Sequence, residues 1–176
     1  MAEVEIALAR RADVSRIPGI ERRAAALFPA SLLPSALAEE TTSEAEVAIA
    51  VEEGRLLVAR DAQAGVIGFA LLEREGREVH LEEIDVDPDH GRRGVGRALV
   101  EAVIDWSREQ GASRITLSTF RDLAWNAPFY ARCGFEVVPA SAWSARDRAR
   151  RREEAAAGLD VAQRVIMARG LGASGA

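Results

Sequence analysis

A chain of 176 residues, 48% hydrophobic and 29% charged, has the size and composition of one soluble globular domain rather than of a disordered chain or of two domains. A net charge of -5 weighs against a general nucleic-acid binder, and one cysteine, Cys133, excludes an internal disulfide and fits a reducing cytoplasm. No apolar run approaches the roughly 18 residues of a membrane span, and the opening MAEVEIALARR is acidic where a signal peptide is basic, so a cytoplasmic protein with no membrane partner is expected.

The first predicted element is a strand over residues 4 to 9, VEIALA. Asp13, Val14, Ile17 and Ile20 mark a helix from about residue 12 to 27, with Pro18 in its first turns, where proline costs least. Residues 26 to 43, broken by Pro29 and Pro34, predict a loop with a short helical turn, read as packed in preference to a mobile lid. Thr42 or Ser43 then caps a second helix over 44 to 53, with Glu46 placed for a capping box. From residue 55 the apolar period becomes that of strands. RLLVARD and VIGFALLERE form a hairpin around Gln63, Ala64 and Gly65, and a strand over 78 to 86 makes a third antiparallel neighbour.

The stretch that follows organises the chain. VHLEEIDV ends a strand at Val86, DPDHGRRGVG holds Gly91, Gly94 and Gly96 among Arg92, Arg93 and Arg97, and Leu99, Val100, Val103, Ile104 and Trp106 set a helical stripe up to Gly111. A strand that runs through such a turn into a helix aims free backbone N–H groups and the positive end of the helix dipole at one point, which suits a phosphate. The P-loop pattern fails because no glycine is followed by Lys and a hydroxyl. The dinucleotide pattern fails because Leu99 stands where its third glycine belongs.

A strand over 114 to 120 comes next, parallel to the strand before the helix and reached by a right-handed crossover. Then come a short helix over 123 to 133 ended by Gly134, a strand FEVVPA, and a charged, alanine-rich segment over 144 to 160 that predicts a solvated surface helix stopped by Gly158. A last strand spans 162 to 170. One domain over residues 1 to 170 and a disordered small-residue tail over 171 to 176 are expected. Two histidines and one cysteine, far apart in sequence, offer no metal set.

Two motifs give the chain a family resemblance. RRGVGRAL after Val86-Asp87-Pro88 resembles the [QR]-x-x-G-x-[GA] cofactor loop of the GNAT superfamily of acyl-CoA-dependent N-acetyltransferases, with Gly91 standing where that pattern has Gln or Arg. Tyr130 to Phe135 resembles the family's Y-x-x-x-G-F, and the run from Thr119 to Tyr130 is similar to a subgroup with T-x-x-x-x-x-W-N-A-P-x-Y. The resemblance implies an α/β (α+β) fold: a mixed, mostly antiparallel sheet of about seven strands with helices on both faces, in the order β-α-α-β-β-β-α-β-α-β-β. It also implies acetyl-CoA as cosubstrate and no metal. Ile84, Asp85 and Val86 would meet the pantetheine. Arg92, Arg93, Gly94, Val95, Gly96 and Arg97 would hold the diphosphate, with Asn126 as a further contact. A small-molecule or peptide amine would be the acceptor, and a homodimer is compatible.

The implied reaction is direct attack of a neutral amine on the thioester. An amine like that of lysine has a pKa of about 10.4 and must first lose a proton, for which a free Glu of about 4.3 is badly matched unless burial raises it or water relays the transfer. Glu82 and Glu83 are adjacent in a strand and so point to opposite faces, Glu82 nominally with Ile84 and Val86, unless a bulge exchanges the two. The base is left open among Glu82, Glu83, His80 and a water relay. Tyr130 is the candidate acid at the leaving thiolate. Cys133 as a nucleophile and His90 as a base are the weaker alternatives. A competing reading keeps the CoA and drops turnover.

Overall fold

The computed structural model describes residues 4–172. Seven strands form one sheet in the order β1-β2-β3-β4-β5-β7-β6. They are β1 (Val4–Leu8), β2 (Leu56–Asp61), β3 (Gly65–Glu75), β4 (Glu78–Val86), β5 (Arg114–Phe120), β6 (Glu136–Val137) and β7 (Arg164–Gly170). Only β4 and β5 pair in parallel; the other neighbours are antiparallel. The helices are α1 (Ile17–Ala25), α2 (Ser35–Glu39), α3 (Glu44–Glu52), α4 (Val95–Glu109), α5 (Ala127–Arg132) and α6 (Ala145–Ala156). The mixed, mostly antiparallel seven-stranded sheet is the one expected, and α2 and α6 are added to the order of elements that the resemblance implies.

Two apolar layers sandwich the sheet. Under α4, Leu99, Val100, Val103 and Ile104 pack on Leu57, Leu72, Val79, Leu81, Ile115 and Leu117. On the other face Ile17 and Ile20 of α1 and Val47 and Ala50 of α3 cover Leu56, Val58 and Phe69. Each fully buried Leu or Ile contributes on the order of 2 kcal/mol of transfer free energy, so these layers fix which face each strand presents.

Several expectations shift at their ends. The helix predicted over 12 to 27 begins as a 3₁₀ turn (Arg11–Arg16) and becomes α-helical only at Ile17. Asp13 is the reason, because its carboxylate accepts from Arg10 N at 2.6 Å and takes both terminal nitrogens of Arg60 on β2. Ser43 does cap α3, with the capping box to Glu46 complete. The helix over 123 to 133 shortens to Ala127–Arg132, and FEVVPA pairs with β7 at Glu136 and Val137, with Val138 N donating to Ile166 O at 2.8 Å. Leu171, placed in the tail by sequence, is buried in the layer under α4, while residues 173 to 176 lie outside the described residues.

The segment over 144 to 160 forms the expected helix ahead of Gly158, but only one side of it is solvated. Its arginines turn onto the sheet, where Arg146 and Arg150 both hold Glu73 and Arg151 lies over Trp143 at 5.2 Å. Apolar stems under a neutralised head make arginine a workable packing residue.

Candidate active site

The sheet opens where the chemistry was expected. β4 pairs with β5 only from Glu78 to Leu81, opposite Arg114 to Leu117. Beyond that point β5 stays with β7 as far as Phe120, and β4 stays with β3 as far as Val86. The pairing ends at a bulge: Leu72 faces Leu81 and Leu71 faces Glu83, so Glu82 is an extra residue. A bulge bends its strand and increases its twist, which here carries the end of β4 away from β5.

The bulge also settles where the two glutamates point. Unbroken alternation would put Glu82 with Ile84 and Val86. Instead Val79, Leu81, Ile84 and Val86 all join the layer under α4, and Glu83 and Asp85 face α1. Glu82 is exposed and turns toward Arg55, 3.5 Å away. Glu83 lies between Glu21 of α1 and Asp85, near enough for both carboxyls to act on it. Burial, then the charges of Asp85 and Glu21, hold the Glu83 carboxyl well above the usual range. Burial likewise pushes Asp85 up to about 7, with the charge of Glu21 adding to it. Glu21 is itself raised by burial, against the pull of Thr42, whose N–H donates to its carboxylate at 2.9 Å.

Glu21 was missed by sequence reading, although a signal existed. It lies four residues after Ile17 and three before Ala24, on the stripe that α1 buries. A carboxylate on an apolar stripe is costly without a partner or a task.

Tyr130 on α5 is 7% exposed, and its hydroxyl makes no hydrogen bond among the described residues while keeping some open surface. Burial, and after it the charge of Asp85, raises its pKa, with Glu83 a smaller contributor. Phe129 and Phe135 fix its ring edge-on at 5.1 and 5.9 Å. Asn126 is buried at the start of α5. Its Oδ1 accepts from Thr119 Oγ1 at 2.7 Å and from Phe120 N at 3.3 Å, tying α5 to the end of β5.

His80 is set apart from this group. It lies buried beneath α6 with Nδ1 2.9 Å from Thr116 Oγ1, and burial, followed by the charges of Arg150 and Arg146, pushes it down to about 3. A base that weak suits a structural role better than proton abstraction. Cys133 lies half-buried at the end of α5, its thiol raised by burial, which disfavours the reactive thiolate.

Two backbone features line the opening. Asp87 N donates to Ile67 O on the β3 side. Along an antiparallel strand successive backbone groups point to alternate edges, so those of Ile84 and Val86 turn toward the gap and those of Asp85 toward β3. Of the three residues expected at the pantetheine, Asp85 therefore enters the site by its side chain. Downstream, Gly94 begins α4 with φ of 83°, no side chain caps the helix, and Arg92, Arg93 and Arg97 are exposed around it. Neither Arg92 nor Arg93 forms an ion pair among the described residues, whereas Arg97 pairs with Glu101. An uncapped helix start among free arginines fits a diphosphate. A free strand edge leading to it fits an amide-bearing arm. No group of His, Cys, Asp and Glu among the described residues has the arrangement to hold a metal ion, and no described helix is long and apolar enough to cross a membrane.

Comparison with known proteins agrees with this geometry. Residues 22–135 match the model of the acetyltransferase (GNAT) family. A mycothiol acetyltransferase of Clavibacter michiganensis is 36% identical over 80 residues, which is 46% of this chain and 26% of that protein. Glucosamine 6-phosphate N-acetyltransferase 1 of Oryza sativa is 33% identical over 88 residues, 46% of this chain and 52% of that one. The matches thus span only about a quarter to a half of these relatives. Among solved structures, the PaiA N-acetyltransferase of Thermoplasma acidophilum in complex with coenzyme A superposes with a TM-score of 0.70 at 16% identity, covering 96% of this chain and 99% of that one. The ribosomal-protein-S18-alanine N-acetyltransferase of Escherichia coli gives 0.68 at 24% identity, with 98% and 97% covered. At these identities the likeness is one of fold.

Proposed function

Because the chain belongs to the acetyltransferase (GNAT) family, we propose that it moves an acetyl group from acetyl-CoA to a primary amine by direct attack within one ternary complex. The observation that carries this reading is the parting of β4 from β5 beside the carboxyl chain of Glu21, Glu83 and Asp85, with Tyr130 buried but its hydroxyl left open and unpaired among the described residues. Acetyl-CoA supplies the thioester. Ile84 and Val86 would present the strand edge to its pantetheine arm. Gly94, Val95 and Gly96, with Arg92, Arg93 and Arg97 around them, would receive its diphosphate.

The carboxyl chain answers the proton problem. A free Glu lies about six units below an amine of about 10.4, whereas a carboxyl raised to about 7, as Asp85 is, roughly halves the gap. Sharing among three carboxyls lets Glu83 hold one proton while its neighbours accept another, so the chain titrates as a unit. Tyr130 stays protonated at neutral pH, because burial raises it. It can donate a hydrogen bond to the departing thiolate, which it stabilises without giving up its proton.

Thiol release on mixing with acetyl-CoA and a panel of amines tests the reading. Tyr130→Phe should lower kcat about a hundred-fold, the scale of a lost transition-state donor, with little change in acetyl-CoA affinity; an equal kcat would remove Tyr130 from this role. Acetyl-CoA bound with no thiol released for any amine would favour a CoA-holding module instead.

A further inference from the structure

An aromatic wall stands beside the carboxyl chain. Ile115 and Leu117 of β5 face α4, so Phe120 points to the opposite face, the one on which Glu21 meets Glu83 and Asp85. Phe120 closes β5 on one bank of the gap, and Asp85 lies near the end of β4 on the other. Phe28, in the segment that follows α1, sets its ring 5.5 Å from Phe120 and 6.2 Å from Trp125. Trp125 stays 50% exposed, and Leu27, the neighbour of Phe28, 55%. Large apolar surface gathered at the mouth of a cleft is costly to leave in water and marks a place where something apolar binds.

The charges nearby sort the candidates. The carboxyl chain attracts a cation. Arg164, whose guanidinium lies 4.6 Å from the Phe120 ring centre, is already taken by Glu154 at 3.0 Å, and Arg23 by Asp87. A phosphate or carboxylate on the acceptor would have to share Arg164 or Arg23 with those partners or reach outward to the exposed Arg22 and Arg121, whereas an apolar body would meet Phe28 and Trp125 directly. Building on the acetyl-transfer reading, we propose that the acceptor is a primary amine carried on an apolar, aromatic-sized body, with its amine at the carboxyl chain and its body against Phe28 and Trp125. Tyr130, its ring buried and its hydroxyl open and unpaired among the described residues, marks the reacting end of the same site.

The test compares phenethylamine, ethylamine and glucosamine 6-phosphate as acceptors, by thiol release from acetyl-CoA and by calorimetry on the CoA-saturated protein. Phenethylamine should exceed glucosamine 6-phosphate in kcat/KM by at least about ten-fold, and Trp125→Ala should raise the KM for phenethylamine by about ten-fold with the ethylamine KM unmoved, the scale of a partly buried aromatic contact. Phe28→Ala should act in the same direction. A preference for glucosamine 6-phosphate would overturn the aromatic mouth and leave acetyl transfer standing, as would two variants with the wild-type KM for phenethylamine. Phenethylamine that binds the CoA-loaded protein without being acetylated would overturn acetyl transfer and keep the mouth. Absence of both binding and turnover would overturn both.

Discussion

Glu21 on α1 carries a charge into a helix face that otherwise buries Ile17, Ile20 and Ala24, and its carboxyl is one end of the chain that reaches Asp85. Its negative charge raises both Glu83 and Asp85, so Glu21→Gln should lower the pKa at which the remaining pair ionises. The acid limb of kcat/KM, predicted near pH 7 for the wild type from Asp85, should move to lower pH; an unmoved limb would detach Glu21 from the base. His80 gives a stability prediction of definite sign. Its folded pKa of about 3 lies below the ordinary value of about 6.5, so between the two the unfolded chain holds a proton that the fold excludes. Stability is therefore lost as pH falls from about 6.5 toward 3. Asp85 pulls the opposite way, since its raised pKa lets the fold take up a proton first, and only a comparison isolates His80. His80→Gln should flatten the acid decline of the urea midpoint; identical slopes would contradict the burial of a neutral ring. At this scale the sequence pointed to Tyr130 by motif and to Glu82 and Glu83 as a pair. Which of the two faces the site depends on one extra residue in a strand, and nothing in the local pattern marks it.

Among the elements, β3 and β4 depend on one close approach. A Cβ on Gly68 would stand 2.8 Å from the carbonyl oxygen of Asp85 and 3.3 Å from Leu99 on α4. Gly68→Ala should cost roughly 2 kcal/mol, as overpacking does, and should reduce turnover by shifting Asp85; a urea midpoint within error of the wild type would contradict this contact. The hairpin around Gln63 to Gly65 was legible because strands buried on both faces read as short apolar runs broken by a turn, and helix α4 because an apolar stripe follows from burial of one face. Helix α6 was legible as a helix ended near Gly158, but its packed side was not. Arg146 and Arg150 form its packing face, and a periodicity search for apolar residues passes over arginine; the carboxylates that accept them, Glu73 and Glu75 on β3, lie some seventy positions earlier.

At the scale of the whole molecule, two antiparallel halves of the sheet meet at one parallel seam, β4 with β5, and the proposed site lies where that seam parts. The bulge at Glu82 opens the seam, the uncapped start of α4 lies beyond its end, and α1 and α5 bring carboxyls and phenol to it. The order of elements was legible because the loop around Gly94 and the segment from Tyr130 to Phe135 are local motifs. The carboxyl chain and the aromatic mouth were not, because each joins residues from segments far apart in sequence, and only the folded sheet brings them together. The central claim is that the seam receives the acyl arm of CoA along the edge of β4. Backbone amide exchange, read by NMR with and without saturating CoA, tests it most directly. The amides of Ile84 and Val86, together with those of Val95 and Gly96, should exchange markedly more slowly with CoA bound, while that of Asp85, already turned toward β3, should change little. Bound CoA that leaves Ile84 and Val86 exchanging at their free rates would contradict the account.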